Sequence, residues 1–191
     1  MGRTKMASRL STLNANEMLR EDHDKVKTLF EQFGEAQEES VKKEIVQQTL
    51  LELKVHTALE EEIYYPAIRE RLAAQDEEVN ELMDESEEEH QVAKALIEEL
   101  EKMEPGDQHF DAKFKVLADS IRHHILEEET KTLPLAEESG MELEDLGEQM
   151  AHRKVELQEE IQNLEAIRPD ASARSEKKSK GRTHRGRASR S

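Results

Sequence analysis

The sequence predicts an all-α protein: four helices folded as two hairpins into a bundle, with an added C-terminal helix and a disordered basic tail. Three observations predict it. Glu, Leu, Lys, Ala and Gln dominate the 191 residues, aromatic residues make up 3% and Trp is absent, a composition that favours helices over sheets. Apolar residues recur at helical spacing through four successive stretches. The polar pattern of the first half of the chain also reappears in the second.

The elements follow in order. Residues 1–11 form a loose leader, and the bundle is assigned to residues 12–138. Ser11 or Asn14 is placed to cap a first helix ending near Gly34, with Leu19, Val26, Leu29, Phe30 and Phe33 on one stripe. A second helix from about Ser40 carries Val41, Ile45, Leu50, Leu53, Leu59 and Ile63, and is expected to end or kink near Pro66. The third, from about Asp76 to Met103, carries Val79, Leu82, Met83, Ala93, Leu96, Ile97 and Leu100. Pro105-Gly106-Asp107 marks a sharp turn, and a fourth helix runs from about Gln108 to Leu133, before Pro134. Residues 139–168 hold a fifth helix of weaker periodicity, about Met141–Ile167, expected outside the bundle and offering a contact face for a second copy. Residues 169–191 are rich in Ser, Arg, Lys and Gly, lack the apolar content of a core and are expected to be disordered.

Charge and cysteine content narrow the function classes. The net charge of −17 divides into +7 over residues 171–191 and −24 over residues 1–170. The acidic body repels nucleic acid and anionic membranes, so nucleic acid is expected to be touched only weakly, through the tail. Arg174, Lys177, Lys178, Lys180, Arg182, Arg185, Arg187 and Arg190 supply that charge, without aromatics for base stacking. With no Cys, disulfides, thiolate nucleophiles and Cys-bound iron–sulfur clusters are excluded. No apolar run approaches the roughly 20 residues that span a bilayer, and no apolar segment follows the basic N-terminus to make a secretory signal. Gly2 lacks the Ser or Thr at position 6 that myristoylation uses. A cytoplasmic protein is expected.

The repeat carries the chemistry. Glu21-Asp22-His23-Asp24-Lys25-Val26-Lys27 aligns with Glu88-Glu89-His90-Gln91-Val92-Ala93-Lys94 at an offset of 67. His56-Thr57-Ala58-Leu59-Glu60-Glu61-Glu62 aligns with His124-Ile125-Leu126-Glu127-Glu128-Glu129-Thr130 at an offset of 68, and a proline follows each His by ten residues, at Pro66 and Pro134. Each hairpin thus supplies one His and then a His-x-x-x-Glu. In an antiparallel hairpin, residues equidistant from the turn share a height, since each helix climbs about 1.5 Å per residue. The midpoint of His23 and His56 falls at Glu39/Ser40, and that of His90 and His124 at Asp107, both at expected turns. A third turn near Ala73–Asp76 lies about midway between the Glu60 region and His90. All four histidines are therefore expected in one layer, with Glu60 and Glu128 one turn along the same faces.

Singly, a His beside an apolar stripe is more often a satisfied polar residue than a ligand, and a Glu in this composition is more often solvated. Jointly, four imidazoles and two carboxylates buried at one level without a cation cost several kcal/mol of desolvation. Such donors suit iron, manganese or zinc. Six of them exceed the four of a structural zinc site and match two metals bridged by carboxylates. His123/Glu127 is a second His-x-x-x-Glu one residue out of register; the shared distance to the following proline selects His124. One residue turns a side chain about 100° around a helix, so His123 is expected outside. Surface roles are expected for His109, His152 and His184.

The pattern His23, His56/Glu60, His90, His124/Glu128, with the flanking Glu60-Glu61-Glu62-Ile63-Tyr64-Tyr65-Pro66, resembles the hemerythrin-like (HHE cation-binding) family over about residues 14–138. The resemblance implies an up-down-up-down four-helix bundle holding two Fe, a non-haem di-iron centre with an oxo or hydroxo bridge. It also implies bridging roles for the two Glu and terminal roles for the four His. Each iron would then have one position open to O2, nitric oxide, peroxide or water. The oxygen-carrying members have a fifth His and a C-terminal Asp ligand. Here the turn positions around His90 are Ser86 and Lys94, so sensing, detoxification or peroxide chemistry gains over stable O2 storage. Three readings follow: a di-iron protein binding O2 or a related small molecule, a peroxide-decomposing enzyme at the same centre with Tyr64 or Tyr65 assisting, and a metal-free interaction bundle.

Overall fold

The computed structural model describes residues 13–73 and 77–167. The expected leader, most of the third turn expected near Ala73–Asp76, and the basic tail with His184 lie outside them. The chain divides into two units, residues 1–158 and 159–191; the described part of the second, 159–167, is helical. No strand occurs among the described residues, and none of their helices is long and apolar enough to cross a membrane.

Helix α1 spans Ala15–Glu35. Asn14 starts it: its side chain accepts from the Glu17 N–H at 3.0 Å and Glu17 accepts from the Asn14 N–H at 3.0 Å, the reciprocal box that satisfies two otherwise orphaned donors. Helix α2 spans Glu39–Leu59, α3 Glu77–Leu100, α4 Phe110–Glu127 and α5 Leu143–Ile167. Contacts join α1 to α2, α3 to α4, α1 to α4 and α2 to α3, which closes the antiparallel four-helix ring. In the turn before α4, Gly106 has φ +91°, a left-handed backbone that glycine adopts without a Cβ penalty.

The bundle interior divides lengthwise. Toward the α1–α2 and α3–α4 turns it is apolar, with Phe30 and Phe33 packed on the fully buried Phe114 at ring distances of 5.8 and 4.2 Å. Truncating such a ring costs about 3–5 kcal/mol. One helical turn further, the same stripes switch character. On α1 the sequence Leu19, His23, Val26, Phe30, Phe33 is buried throughout, and on α3 so is Met83, Ser86, His90, Ala93, Ile97. A histidine occupies a core position in each. Val41 is the exception among the expected stripe residues, at 40% exposed.

The end expected before Pro134 is not found, and at Pro66 the helix becomes irregular rather than ending. Neither proline ends its helix. After Leu59 the chain makes a π-helical turn over Glu60–Tyr64, an α segment Tyr65–Ile68 and a second π turn Arg69–Ala73. After Glu127 it makes a π turn over Glu128–Thr132 and an α segment Leu133–Glu138. Pro66 and Pro134 have no N–H to give the carbonyl four residues back, and their rings crowd it. The helix widens instead of stopping: the Tyr65 N–H donates to the Glu60 carbonyl and the Leu133 N–H to that of Glu128, five residues back. The two wide turns that precede the prolines each begin at a glutamate of the repeat, and π turns of this kind recur at functional sites.

Candidate metal centre

Those wide turns place both glutamates. Glu60 and Glu128 are 0% and 1% exposed, and His23, His56, His90 and His124 are between 1% and 5%. The four histidines come from four different helices, and their rings meet pairwise, His23 on His56 at 4.9 Å and His90 on His124 at 4.7 Å. The six residues form two groups able to hold a cation, His23–His56–Glu60–Glu128 and Glu60–His90–His124. Glu60 belongs to both: its Oε1 lies 3.0 Å from His56 Nε2 and its Oε2 3.2 Å from His90 Nε2. Glu128 Oε2 lies 3.0 Å from His23 Nε2. The His90 and His124 Nε2 atoms are 3.1 Å apart.

Every imidazole turns its Nε2 inward and its Nδ1 toward an outer carboxylate. The Nδ1–H of His23 donates to Glu129 at 3.1 Å, that of His90 to Glu61 at 3.0 Å and that of His124 to Glu89 at 2.8 Å. His56 Nδ1 faces Asp22 Oδ2 at 3.9 Å, beyond hydrogen-bond range. Such outer carboxylates fix the tautomer and aim the other nitrogen. These four acids were not singled out from the sequence, yet the repeat contains them. Asp22 and Glu89 each precede the first His of a hairpin by one residue, and Glu61 and Glu129 follow the Glu. The cross-connection is two-fold: Asp22 and Glu89 serve the His of their own hairpin, Glu61 and Glu129 that of the other. Lys27 and Lys94, also repeat mates, hold Glu129 at 2.7 Å and Glu61 at 2.5 Å.

The electrostatics call for positive charge inside the cluster. Burial lowers the basicity of His56, but the Glu60 charge and the neighbouring Asp22 raise its pKa to about 10; burial likewise opposes His90, and its bonds to Glu60 and Glu61 raise it to about 9. Burial raises the Glu60 pKa, and the charge of His56 more than reverses this, holding it well below the usual carboxylate range. Protons on His56 and His90 thus do part of what a cation would do. They leave geometry unsatisfied, however. His23 Nε2, both ring nitrogens of His56, both Glu60 oxygens and Glu128 Oε2 are buried without a hydrogen-bond partner, although several of these atoms lie within 3.2 Å of one another. Apart from His56 Nδ1, which faces Asp22, these five buried polar atoms converge without aligned donors and fit metal ligation better than a proton network.

The remaining candidates separate cleanly. His123 is 65% exposed, while its neighbour His124 points inward; His109 and His152 are exposed. Tyr64 turns away, donating to Asn16 Oδ1 at 2.6 Å. Tyr65 faces the cluster: it stacks on His90 at 5.7 Å and its hydroxyl donates to Glu128 Oε1 at 3.3 Å. Burial pushes its phenol well above the ordinary range, so the hydroxyl keeps its proton. Against the groups lies a small cavity of about 10 Å³ lined by Asp22, His23, His56, Thr57 and His124 together with Val26, Leu53, Ile121 and Ile125.

The chain matches the hemerythrin HHE cation binding domain over residues 14–136. A crystal structure of a hemerythrin HHE cation binding domain-containing protein from Mycobacterium kansasii superposes with a TM-score of 0.69 at 25% identity, over 82% of this chain and 94% of that one. An uncharacterized hemerythrin-like protein of Schizosaccharomyces pombe is 27% identical over 125 residues, 65% of this chain and 60% of that protein. A protein of Nostoc named a DNA nickase is 30% identical over 118 residues, 62% of this chain but 32% of the relative. The chain thus spans about a third of one curated relative and 60% of the other.

Proposed function

The chain belongs to the hemerythrin HHE cation-binding family, and from that premise we propose that its His/Glu cluster holds a non-haem di-iron centre, oxo- or hydroxo-bridged, that binds O2 or a related small ligand such as nitric oxide or peroxide for sensing, storage or detoxification. Metal binding goes with the family; iron, the number two and the ligand are the proposal. The ligands assigned are His23, His56, Glu60, His90, His124 and Glu128, within a working module of residues 12–138 that residues 139–168 accompany, and a cytoplasmic setting belongs to the same reading. The observation that carries it is Glu60, whose two oxygens face one histidine group each, as a carboxylate shared between two cations requires.

Iron, when bound, supplies the electron exchange with O2, nitric oxide or peroxide that no side chain here offers. The chain supplies the rest. Outer carboxylates hold the imidazole tautomers. The cavity has room for about one water-sized guest, so it limits the ligand to a small molecule. Tyr65 keeps a donor proton beside Glu128. A metal-to-protein ratio joined to an optical spectrum tests this: the expected result is about two irons per chain with near-ultraviolet charge-transfer bands, and well under one metal per chain sinks it in favour of the metal-free bundle.

A second reading, decomposition of hydrogen peroxide, draws on Tyr65, a buried donor at the cluster. Anaerobic reduction followed by O2 separates the two. A reversible optical change supports ligand binding, and gas evolution from added peroxide supports the enzyme. Weak nucleic-acid contact is assigned only to residues 169–191; deleting them is expected to abolish DNA retention at low salt.

A further inference from the structure

Outside the buried cluster, three further ligand-type side chains meet at the surface. Glu89 of α3 and His123 and Glu127 of α4 bring a carboxylate, an imidazole and a second carboxylate together. His123 Nε2 lies 3.9 Å from Glu89 Oε1 and 3.8 Å from Glu127 Oε2. We propose that this triad is a second divalent-cation site, a surface station from which metal is loaded into the buried cluster. The cation site stands on its own geometry; the loading role rests on the metal-centre reading above.

The internal duplication supplies the argument. The repeat mate of Glu89 is Asp22, and the mates of His123 and Glu127, at the offset of 68, are Val55 and Leu59. In the first hairpin those mates are 1% and 0% exposed, and the ammonium of Lys154, from α5, sits 2.5 Å from Asp22 Oδ1. A fixed cation thus fills the place beside this carboxylate. In the second hairpin the corresponding place beside Glu89 Oε1 holds two additional ligands, and His123 is 65% open to solvent. One half of the molecule has a built-in ammonium on this carboxylate; in the other the ammonium, Lys131, sits on Glu127 instead, and Glu89 Oε1 faces an imidazole and a second carboxylate.

The chemistry of the donors sets the class. One imidazole and two carboxylates suit Fe2+, Mn2+ or Zn2+ better than the all-oxygen preference of Ca2+ or Mg2+. Three side chains at an exposed spot leave coordination to be completed by water, so binding is weak and exchange fast, as transit demands. Lys131 Nζ, 2.5 Å from Glu127 Oε1, competes for that carboxylate and weakens it further. Glu89 is the link inward, because its other oxygen accepts from His124 Nδ1 at 2.8 Å. Metal held at Oε1 is one carboxylate away from a residue of the buried cluster.

The test uses the full chain, metal-free, with Zn2+ as the equilibrium probe and Fe2+ as the kinetic one. Wild-type protein is expected to bind about one more weak Zn2+ than the His123→Ala/Glu127→Gln double variant, whose helicity and tight metal content stay unchanged. Lys131→Gln, which frees Glu127, is expected to tighten that weak ion by roughly tenfold, the scale on which neighbouring side chains tune metal affinity. The double variant is also expected to take up Fe2+ several-fold more slowly to the same final content. A wild type with no weak ion, a double variant that keeps it, or Lys131→Gln binding no tighter overturns the site. Loss of the weak ion with an unchanged Fe2+ uptake rate overturns its loading role. Because the weak ion is counted as a difference between proteins, an empty buried cluster reads separately, as missing tight metal in both.

Discussion

The two hairpins of the bundle carry the same parts and do not use them identically. Each contributes a His, a His-x-x-x-Glu, a π turn that starts at the Glu, and a Lys-held outer carboxylate reaching across to the other hairpin. Beyond that they part. Glu60 touches histidines of both hairpins, whereas Glu128 is close to His23 and is held by Tyr65. The position corresponding to Tyr65 is Leu133, which has no hydroxyl to offer Glu60. Asp22 falls short of its imidazole at 3.9 Å where Glu89 reaches its own at 2.8 Å. Duplication thus accounts for the donor set, while single substitutions in one copy decide how tightly each half grips and what lies open around it.

The sharpest way to break the comparison is at the glutamates. If Glu60 is the shared carboxylate, Glu60→Ala is expected to empty both halves, leaving well under one metal per chain. Glu128→Ala is expected to leave about one, held with the second hairpin's histidines. Equal loss from the two variants, read by elemental analysis, contradicts the asymmetry. His124→Ala belongs with the large effects, and His123→Ala is expected to leave the buried metal content as it is.

Metal-free protein tests the same cluster by pH. His56 and His90, raised to about 10 and about 9 from an unfolded value of 6.5, are paired with carboxylates in the folded state. Raised values mean that their contribution is complete below pH 6.5 and lost as pH climbs through 9 to 10. Glu60 works in the other direction, its lowered value adding stability above about 4.5 that is lost on acidification. The melting temperature of metal-free protein is therefore expected to fall between pH 7 and 10, and that of loaded protein to hold, since bound metal replaces the protons. A metal-free melting temperature that rises over this range refutes the pairing.

The outer carboxylates come next in size. Glu89→Gln removes a charge-assisted partner of His124 and is expected to weaken metal binding by about 10–100-fold. Asp22→Asn is expected to do less, because at 3.9 Å Asp22 holds His56 loosely. The converse change sharpens the point: Asp22→Glu adds the missing methylene, brings the carboxylate within reach of His56 and is expected to tighten binding in the first half. Competition with a chelator of known affinity measures all three.

Much of this was legible from sequence, because the fold and site share one signal. The apolar stripes that predict α1 and α3 continue through His23 and His90 without a change of phase, so the period that announced the helices also aimed the imidazoles. The choice of His124 over His123 followed from the spacing to Pro134 and agrees with the burial of one and exposure of the other. What the sequence concealed lies where helical periodicity fails. Pro66 and Pro134 look like terminators, and only the bonds from the Tyr65 and Leu133 N–H groups to the Glu60 and Glu128 carbonyls, five residues back, show that the helix goes through. The outer acids hid for another reason: in a chain with 45 Asp and Glu, Asp22, Glu61, Glu89 and Glu129 look like solvated charges until the repeat is extended to them. Lys154 had no repeat mate to reveal it.

The smallest effects fall on a hydroxyl that one hairpin alone supplies and on the lysines that both supply. Tyr65→Phe leaves Glu128 Oε1 without its 3.3 Å donor, an unmade buried hydrogen bond worth about 1 kcal/mol or somewhat more. Its influence is expected mainly on the optical spectrum and on any peroxide reactivity. Below it stand Lys27 and Lys94, whose ammonium groups hold Glu129 and Glu61 from positions 36% and 37% exposed. Solvent screens such pairs to about 0.2–1 kcal/mol, and the carboxylates keep their bonds to His23 and His90 without them. Lys27→Ala and Lys94→Ala are therefore expected to shift the melting temperature slightly and by the same amount, since the two lysines occupy the same place in the repeat. A difference between them larger than that range means that the halves are unequal even in the outermost contacts, and places the origin of the asymmetry outside the cluster rather than at Glu60.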